Sequence, residues 1–288
     1  MFDFFYKDII IEVMNKKVIT IQDISCYGQC SITVALPILS AAGIETAIIP
    51  SAVLSTHTYN FKGFTFNDLS KDIPNILDHH KKEGLKFDAV YSGYLGSVDI
   101  MPMVLRMVED ELLPNGIFVL DPVMGDNGKL YPIFNQEYVE GMKTLVAKAD
   151  ILLPNITEAS FLTGIEYKEK YDEAYIKSLL DGLKALGAKT IVLTGVSYKE
   201  GMTGVVVSDD KYRYYEHKKI AKSYHGTGDV YASSFLGALL QGKEVFEAAK
   251  IAANFVVKCI KNTIDDPDHW YGVKFEPLLG EYALSLKK

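Results

Sequence analysis

Tyr224-His225-Gly226-Thr227-Gly228-Asp229-Val230-Tyr231-Ala232-Ser233-Ser234-Phe235-Leu236-Gly237-Ala238-Leu239-Leu240 sets two glycines around a threonine and follows them at once with an acid. From Val230 to Leu240 apolar and small residues then recur at helical spacing, which predicts a helix opened by a glycine turn. The first amides of such a helix lack intrahelical partners and stand at the positive end of its dipole, so the backbone of Gly226, Thr227 and Gly228 is suited to an anion such as phosphate. Asp229 has two readings. It can cap the helix as an ordinary first-turn acid, or it can serve as a general base, since a carboxylate adds nothing to affinity beside a phosphate.

The same periodicity extends outward from this turn. Upstream, β-rich runs at 204–207 and 212–215 flank Ser208-Asp209-Asp210-Lys211 and predict a hairpin; downstream, a second helix starts at Glu244. Toward the N-terminus, strand patterns at 18–22, 46–49, 87–91, 117–120, 151–153 and 190–193 alternate with helical patterns at 31–42, 101–112, 136–147, 157–163 and 173–186. This alternation predicts βαβ units and a mainly parallel sheet flanked by helices. No linker, repeat or low-complexity tract divides the chain, so 1–288 reads as one domain, with 1–15 as a flexible or interface extension.

An apolar fraction of 48% and a charged fraction of 23% fit an ordinary soluble globular protein, and a net charge of −7 argues against nucleic-acid or anionic-membrane partners. Any phosphate site must therefore be local. No basic n-region with a long apolar core opens the chain, no run reaches membrane-span length, and three cysteines form no disulfide framework, which together predict a cytoplasmic protein. Cys26 and Cys30 lack a second ligand pair for zinc and read as packing residues. The cluster His79-His80-Lys81-Lys82-Glu83 reads as a solvated helix end.

Ligands of open α/β sheets collect beyond the carboxyl ends of the strands. There the chain places Asp23-Ile24-Ser25-Cys26-Tyr27-Gly28, then Pro50-Ser51-Ala52-Val53-Leu54-Ser55-Thr56-His57-Thr58, then Ser92-Gly93-Tyr94. These three suit a small polar ring. Asp121-Pro122-Val123-Met124-Gly125-Asp126 and Pro154-Asn155-Ile156-Thr157-Glu158 supply carboxylates suited to a hard cation such as Mg²⁺. Each also has a plain alternative: Asp23 or Ser25 as a helix cap, His57 as a bonded loop residue, Thr157 and Glu158 as a helix start.

The order and spacing of Asp121-Pro-Val-Met-Gly-Asp126, Pro154-Asn-Ile-Thr-Glu158 and Gly226-Thr-Gly-Asp229 resemble the ribokinase-like superfamily, across roughly residues 17–260. Ser55-Thr-His-Thr58 followed by Ser92-Gly-Tyr94 resembles its pyridoxal kinase branch. The resemblance implies a three-layer α/β sandwich and transfer of the ATP γ-phosphoryl group to the 5′-hydroxymethyl of pyridoxal, pyridoxamine or pyridoxine. It implies Asp229 as base, with the Gly226, Thr227 and Gly228 amides at the phosphoryl group. Asn155, Glu158 and Asp121 would lie near Mg²⁺, and Asp121, Asp126 and Thr194 near the nucleotide phosphates. Ser51, Tyr94, His57 and Asp23 would lie on the substrate ring. Residues 125–131 would form a flap over ATP, and 253–257 would border the adenine. A monovalent cation such as K⁺ and a homodimer are also implied.

The chain departs from that pattern in one place. Where many pyridoxal kinases carry Gln-Ser-His it has Gln22-Asp23-Ile24, and an ionised Asp23 can pair with a protonated pyridine nitrogen or accept from the ring hydroxyl. His225 resembles the hydroxymethylpyrimidine kinases, which stand as the alternative reading, followed by a sugar kinase and by a non-catalytic binding protein on the same fold.

Overall fold

The structure, a computed structural model, describes residues 16–287; the expected extension 1–15 lies outside them. The chain opens with β1 (Lys17–Ser25), α1 (Ile32–Ala41), β2 (Glu45–Leu54), β3 (Phe66–Asp68), α2 (Ile73–Glu83) and β4 (Phe87–Ser92). It continues through α3 (Met101–Glu111), β5 (Leu112–Leu120), β6 (Gly125–Asp126), β7 (Lys129–Leu130), α4 (Gln136–Val146), β8 (Ile151–Leu152), α5 (Ile156–Thr163) and α6 (Glu173–Ala185). It closes with β9 (Thr190–Val196), β10 (Met202–Ser208), β11 (Tyr212–Lys218), α7 (Thr227–Leu240), α8 (Val245–Thr263) and α9 (Leu279–Leu286).

Nine strands form one sheet in the order β11-β10-β9-β8-β5-β4-β1-β2-β3. Strands β9, β8, β5, β4, β1 and β2 run parallel, and antiparallel pairing of β10 with β9, of β11 with β10 and of β3 with β2 finishes the two edges. Because side chains alternate across a strand, consecutive residues serve opposite cores. Ile19, Ile21, Val90, Phe118 and Leu120 pack against α2–α6, while Val18, Ala89, Tyr91 and Val119 pack against α1, α7, α8 and α9. Both faces are covered, which explains why these strands read as nearly continuous apolar runs. The result is the expected ribokinase-like three-layer sandwich. Among the described residues no helix is long and apolar enough to cross a membrane.

Three differences from the sequence reading bear on the site. Strand β2 runs on to Leu54 rather than ending at 49, so Ser51 lies within a strand, and its register against β1 slips where Gln22 faces Pro50 but Ile24 faces Val53. Two residues of β1 thus oppose three of β2, an irregularity of the kind that re-aims side chains beside active sites. Edge strand β3 and helix α2, absent from the elements read above, complete this side of the sheet. The cluster 79–83 does end α2, but His80 is not simply solvated: its Nδ1 lies 3.2 Å from Oε1 of the fully buried Glu111.

Candidate functional site

Gly226 caps α7 with φ 77°, and a Cβ there would stand 1.7 Å from the carbonyl oxygen of Gln29, so only glycine fits. The Val230 N–H donates to Gly226 O at 3.0 Å, which leaves the amides of Thr227, Gly228 and Asp229 ahead of the first helical bond. The Thr227 hydroxyl turns back to Tyr224 O at 3.0 Å. Asp229 is the acid of the first turn of α7, where the plain reading placed it. Burial pushes its carboxyl up to about 7; the Ser31 N–H opposes that rise, and the nearby Asp23 adds to it.

Asp121 follows β5, positioned by its N–H to Ser92 O at 3.0 Å. Its carboxyl is driven well above the usual range by burial and by the charges of Glu158 and Asp229. Glu158 is also held up by burial, against hydrogen bonds from the Asn155 and Met124 amides. Among the described residues no lysine or arginine is ion-paired with Asp23, Asp121, Glu158 or Asp229.

Asn155 and Glu158, expected beside a metal, have a structural task that the sequence reading gave only as an alternative. They form a reciprocal capping box on α5: Glu158 N–H donates to Asn155 Oδ1 at 2.9 Å, and Asn155 N–H to Glu158 Oε2 at 2.8 Å. Glu158 Oε1 also accepts from Met124 N–H at 3.2 Å, and Asn155 Nδ2 donates to Gly125 O at 2.9 Å. Among the described residues no three His, Cys, Asp or Glu side chains are grouped to hold a metal. A buried, unpaired Asp121 beside an engaged Glu158 nevertheless fits Mg²⁺, which keeps several waters and takes few protein ligands.

The stretch 125–131 is a two-stranded hairpin, β6 paired with β7, which gives the expected flap a definite form. It is pinned at its base by Asn155 and at its turn by Gly128 N–H, which donates to the buried Thr157 hydroxyl at 2.9 Å. Asp126 is exposed on this hairpin and accepts from the Asn127 N–H at 2.8 Å. Tyr131, just after β7, is pushed up by burial and by the charges of Glu158, Asp126, Asp229 and Asp121. Thr194 ends its hydroxyl on Pro154 O at 3.3 Å and pairs as a bridge with Asn155.

Around the expected substrate pocket, Ser51 donates from its hydroxyl to Tyr94 O at 3.2 Å, and the buried Tyr94 hydroxyl has no protein partner. His57, expected on the substrate ring, has both nitrogens engaged elsewhere. Its Nδ1 accepts from Tyr59 N–H at 3.2 Å, which fixes Nε2 as the donor to Tyr271 O at 2.8 Å. Its ring lies against Gly28, where a Cβ would approach within 2.1 Å, and against the His225 ring at 4.7 Å. His57 therefore ties together the loops after β1 and β2, the segment 269–272 and the approach to the glycine turn. Burial, with the neighbouring His57, lowers His225 to about 4 and keeps its imidazole neutral.

The structure thus gathers Asp23, Asp121, Glu158 and Asp229 at the carboxyl ends of the parallel strands, with Ser51 and Tyr94 adjoining. One member was not legible in the sequence. Ser31 is buried and holds φ 51°, a conformation L-residues rarely adopt, and it opposes the rise of both the Asp23 and the Asp229 carboxyl. Of the cysteines, Cys30 is buried, as the packing reading expects, and burial with the charges of those two acids pushes its thiol up, whereas Cys26 is exposed.

The fold and this arrangement define an ATP-dependent small-molecule kinase. The chain belongs to the phosphomethylpyrimidine kinase family, whose model matches residues 39–272. It is 32% identical over 243 residues to a pyridoxal kinase of Dictyostelium discoideum, covering 78% of each chain. Among solved structures, a pyridoxal kinase from Lactobacillus plantarum superposes with TM-score 0.87 at 32% identity, covering 94% of this chain and 98% of that one. A Bacteroides thetaiotaomicron protein assigned as a phosphomethylpyrimidine kinase and crystallised with pyridoxal gives TM-score 0.86 at 34% identity, covering 95% and 96%.

Proposed function

We propose that this chain is a vitamin B6 kinase, transferring the γ-phosphoryl group of ATP to the 5′-hydroxymethyl of pyridoxal, pyridoxamine or pyridoxine. The observation that carries this reading is Asp229, a buried carboxylate whose proton affinity is raised toward neutrality beside the free amides that open α7. Asp229 removes the hydroxymethyl proton as that oxygen attacks the γ-phosphorus, and ADP leaves. The amides of Gly226, Thr227 and Gly228 face the charge that grows on the transferring group.

Asp121 would hold Mg²⁺, with Glu158 and Asn155 acting through its water, and Asp126 and Thr194 would lie toward the nucleotide phosphates. The metal, when bound, neutralises phosphate charge that the four buried acids would otherwise repel. The β6–β7 hairpin excludes water above the nucleotide, and Asp23, Ser51 and Tyr94 orient the ring. A monovalent cation, a single domain, a homodimer and a cytoplasmic site of action belong to the same proposal.

The pyridoxal kinase relatives and the pyridoxal complex of the Bacteroides protein favour B6 over a pyrimidine. The alternative, phosphorylation of hydroxymethylpyrimidine, is favoured by the family model itself. ADP release from Mg²⁺-ATP measured with pyridoxal, pyridoxamine, pyridoxine, hydroxymethylpyrimidine and ribose decides between them. Turnover of a B6 vitamer is expected; turnover only of the pyrimidine or the sugar removes the vitamer assignment, and silence on all five removes the kinase.

A further inference from the structure

The connector between α5 and α6, residues 164–172, touches two structures that the kinase reading sets around the nucleotide. Its start is fixed from beneath: the buried Tyr175 of α6 donates from its hydroxyl to Glu166 O at 2.9 Å, and the Ser160 hydroxyl of α5 lies 3.1 Å from that same oxygen of Tyr175. From this base the connector sends one tyrosine to the β6–β7 hairpin and another to the end of β9.

Tyr167 meets the hairpin at its turn. Asn127 and Gly128 both hold positive φ, 51° and 74°, as the tight two-residue turn of a short hairpin requires. A Cβ on Gly128 would stand 2.6 Å from Cδ1 of Tyr167, so the ring rests on bare backbone there. Beside this contact the space is open, a cavity of about 480 Å³ lined by Gly128, Phe161, Gly164, Ile165 and Tyr167. The turn therefore leans on the Tyr167 ring and on the Thr157 hydroxyl rather than on a filled core.

Tyr171 meets β9 just past Thr194. On β10, Gly204 faces Val196 and Val205 faces Thr194, so Gly195, at φ 76°, is an extra residue that bulges from β9 directly after Thr194. The Tyr171 hydroxyl spans the bulge, accepting from Ser197 N–H at 2.9 Å and donating to Gly195 O at 3.4 Å. Its ring centroid lies 5.6 Å from that of Tyr175, the residue that anchors the connector.

Resting on the kinase reading above, in which 125–131 cover ATP and Thr194 lies toward its phosphates, we propose that Tyr167 and Tyr171 are positioning residues for the nucleotide. The connector that carries them sets the spacing between the hairpin and the end of β9, and through it the affinity for ATP. The acceptor side is insulated from this device, because Asp23, Ser51 and Tyr94 belong to β1, β2 and the end of β4, across β8 and β5 from β9.

Three variants test this. Tyr171→Phe deletes the hydroxyl and keeps the ring, Tyr167→Leu deletes the other ring, and Tyr167→Phe keeps it. Each is titrated with Mg²⁺-ADP by calorimetry, assayed for KM toward ATP and toward pyridoxal, and melted. Tyr171→Phe and Tyr167→Leu are expected to weaken Mg²⁺-ADP and raise the ATP KM by about fivefold, the scale of one hydrogen bond. The pyridoxal KM should stay within about twofold of wild type in both, and Tyr167→Phe should match wild type throughout. A merely structural role would lower the melting temperature and raise both KM values together, and that result overturns the inference. So does Mg²⁺-ADP affinity within about twofold of wild type in Tyr171→Phe and Tyr167→Leu, or a Tyr167→Phe as weak as Tyr167→Leu. Wild type that binds Mg²⁺-ADP but phosphorylates no vitamer removes the acceptor assignment alone, and the titrations still judge the two tyrosines. Wild type that binds no Mg²⁺-ADP removes the kinase reading and this inference with it.

Discussion

The two ends of the parallel strands treat acidic residues in opposite ways. At the amino ends, Lys16 pairs with Asp88 at 2.8 Å, Lys189 with Asp150 at 2.7 Å, Lys81 with Asp110 at 2.9 Å, and His80 with the buried Glu111 at 3.2 Å. At the carboxyl ends, Asp23, Asp121, Glu158 and Asp229 are buried, among the described residues no lysine or arginine pairs with them, and burial raises all four. One sheet therefore has an end whose acids are ion-paired and an end whose acids are buried without a paired cation among the described residues. An acid left without its cation, in a fold that supplies cations elsewhere, marks a place where stability yields to binding.

The largest effect expected from breaking this contrast lies at Asp229. Asp229→Asn should lower kcat by a hundredfold or more while ATP affinity, followed by equilibrium titration, changes little. The same variant sharpens the comparison through stability. A carboxyl raised in the folded state from its ordinary value to about 7 has its stabilising contribution fully present below pH 4 and loses it as pH climbs to 7. Chemical denaturation should therefore find Asp229→Asn gaining on wild type across that window, by at most about 4 kcal/mol.

The pH dependence of wild-type turnover comes next in size. If Asp229 must be ionised to act, kcat/KM should fall about tenfold per unit below pH 7; a flat profile from pH 5 to 8 would remove it as the base. At the other end, His80→Ala should cost about 3 kcal/mol at pH 8, because Glu111 is left buried and alone. Less should be lost at pH 5, since burial already raises Glu111 toward taking up a proton. Turnover should be untouched in that variant. Smallest of all, Lys189→Ala should cost less than about 1 kcal/mol in a denaturation series, the worth of an exposed ion pair.

How much of this was legible in the sequence follows from what periodicity and local chemistry encode. The parallel strands and α7 carry strong patterns, and Gly226-Thr-Gly-Asp229 announces its turn because glycine beside a helical run has few other meanings. Strand β3 and α2 were passed over because Phe66-Asn67-Asp68 is exposed and too short to show alternation, and α2 buries little beyond Ile73 and Leu77. Asn155 and Glu158 were legible twice over, as cap and as metal neighbours, and only the hydrogen bonds show how fully the cap occupies them. His57 was placed near the ring by its neighbours in sequence; the tautomer that turns its nitrogens away depends on Tyr271, more than two hundred residues distant. Ser31 gave no signal, since nothing in a one-dimensional string reports a positive φ.

Cys26 offers a practical consequence. It follows β1 two residues before Gly28, which His57 packs against, and it is the exposed thiol of a chain whose other cysteines, Cys30 and Cys259, are buried. A maleimide dye should therefore attach at this single position in the native protein, with no engineered cysteine. Anchored at the rim of the pocket, its fluorescence would report nucleotide and acceptor arrival in real time, giving rate constants for steps that an end-point assay averages away.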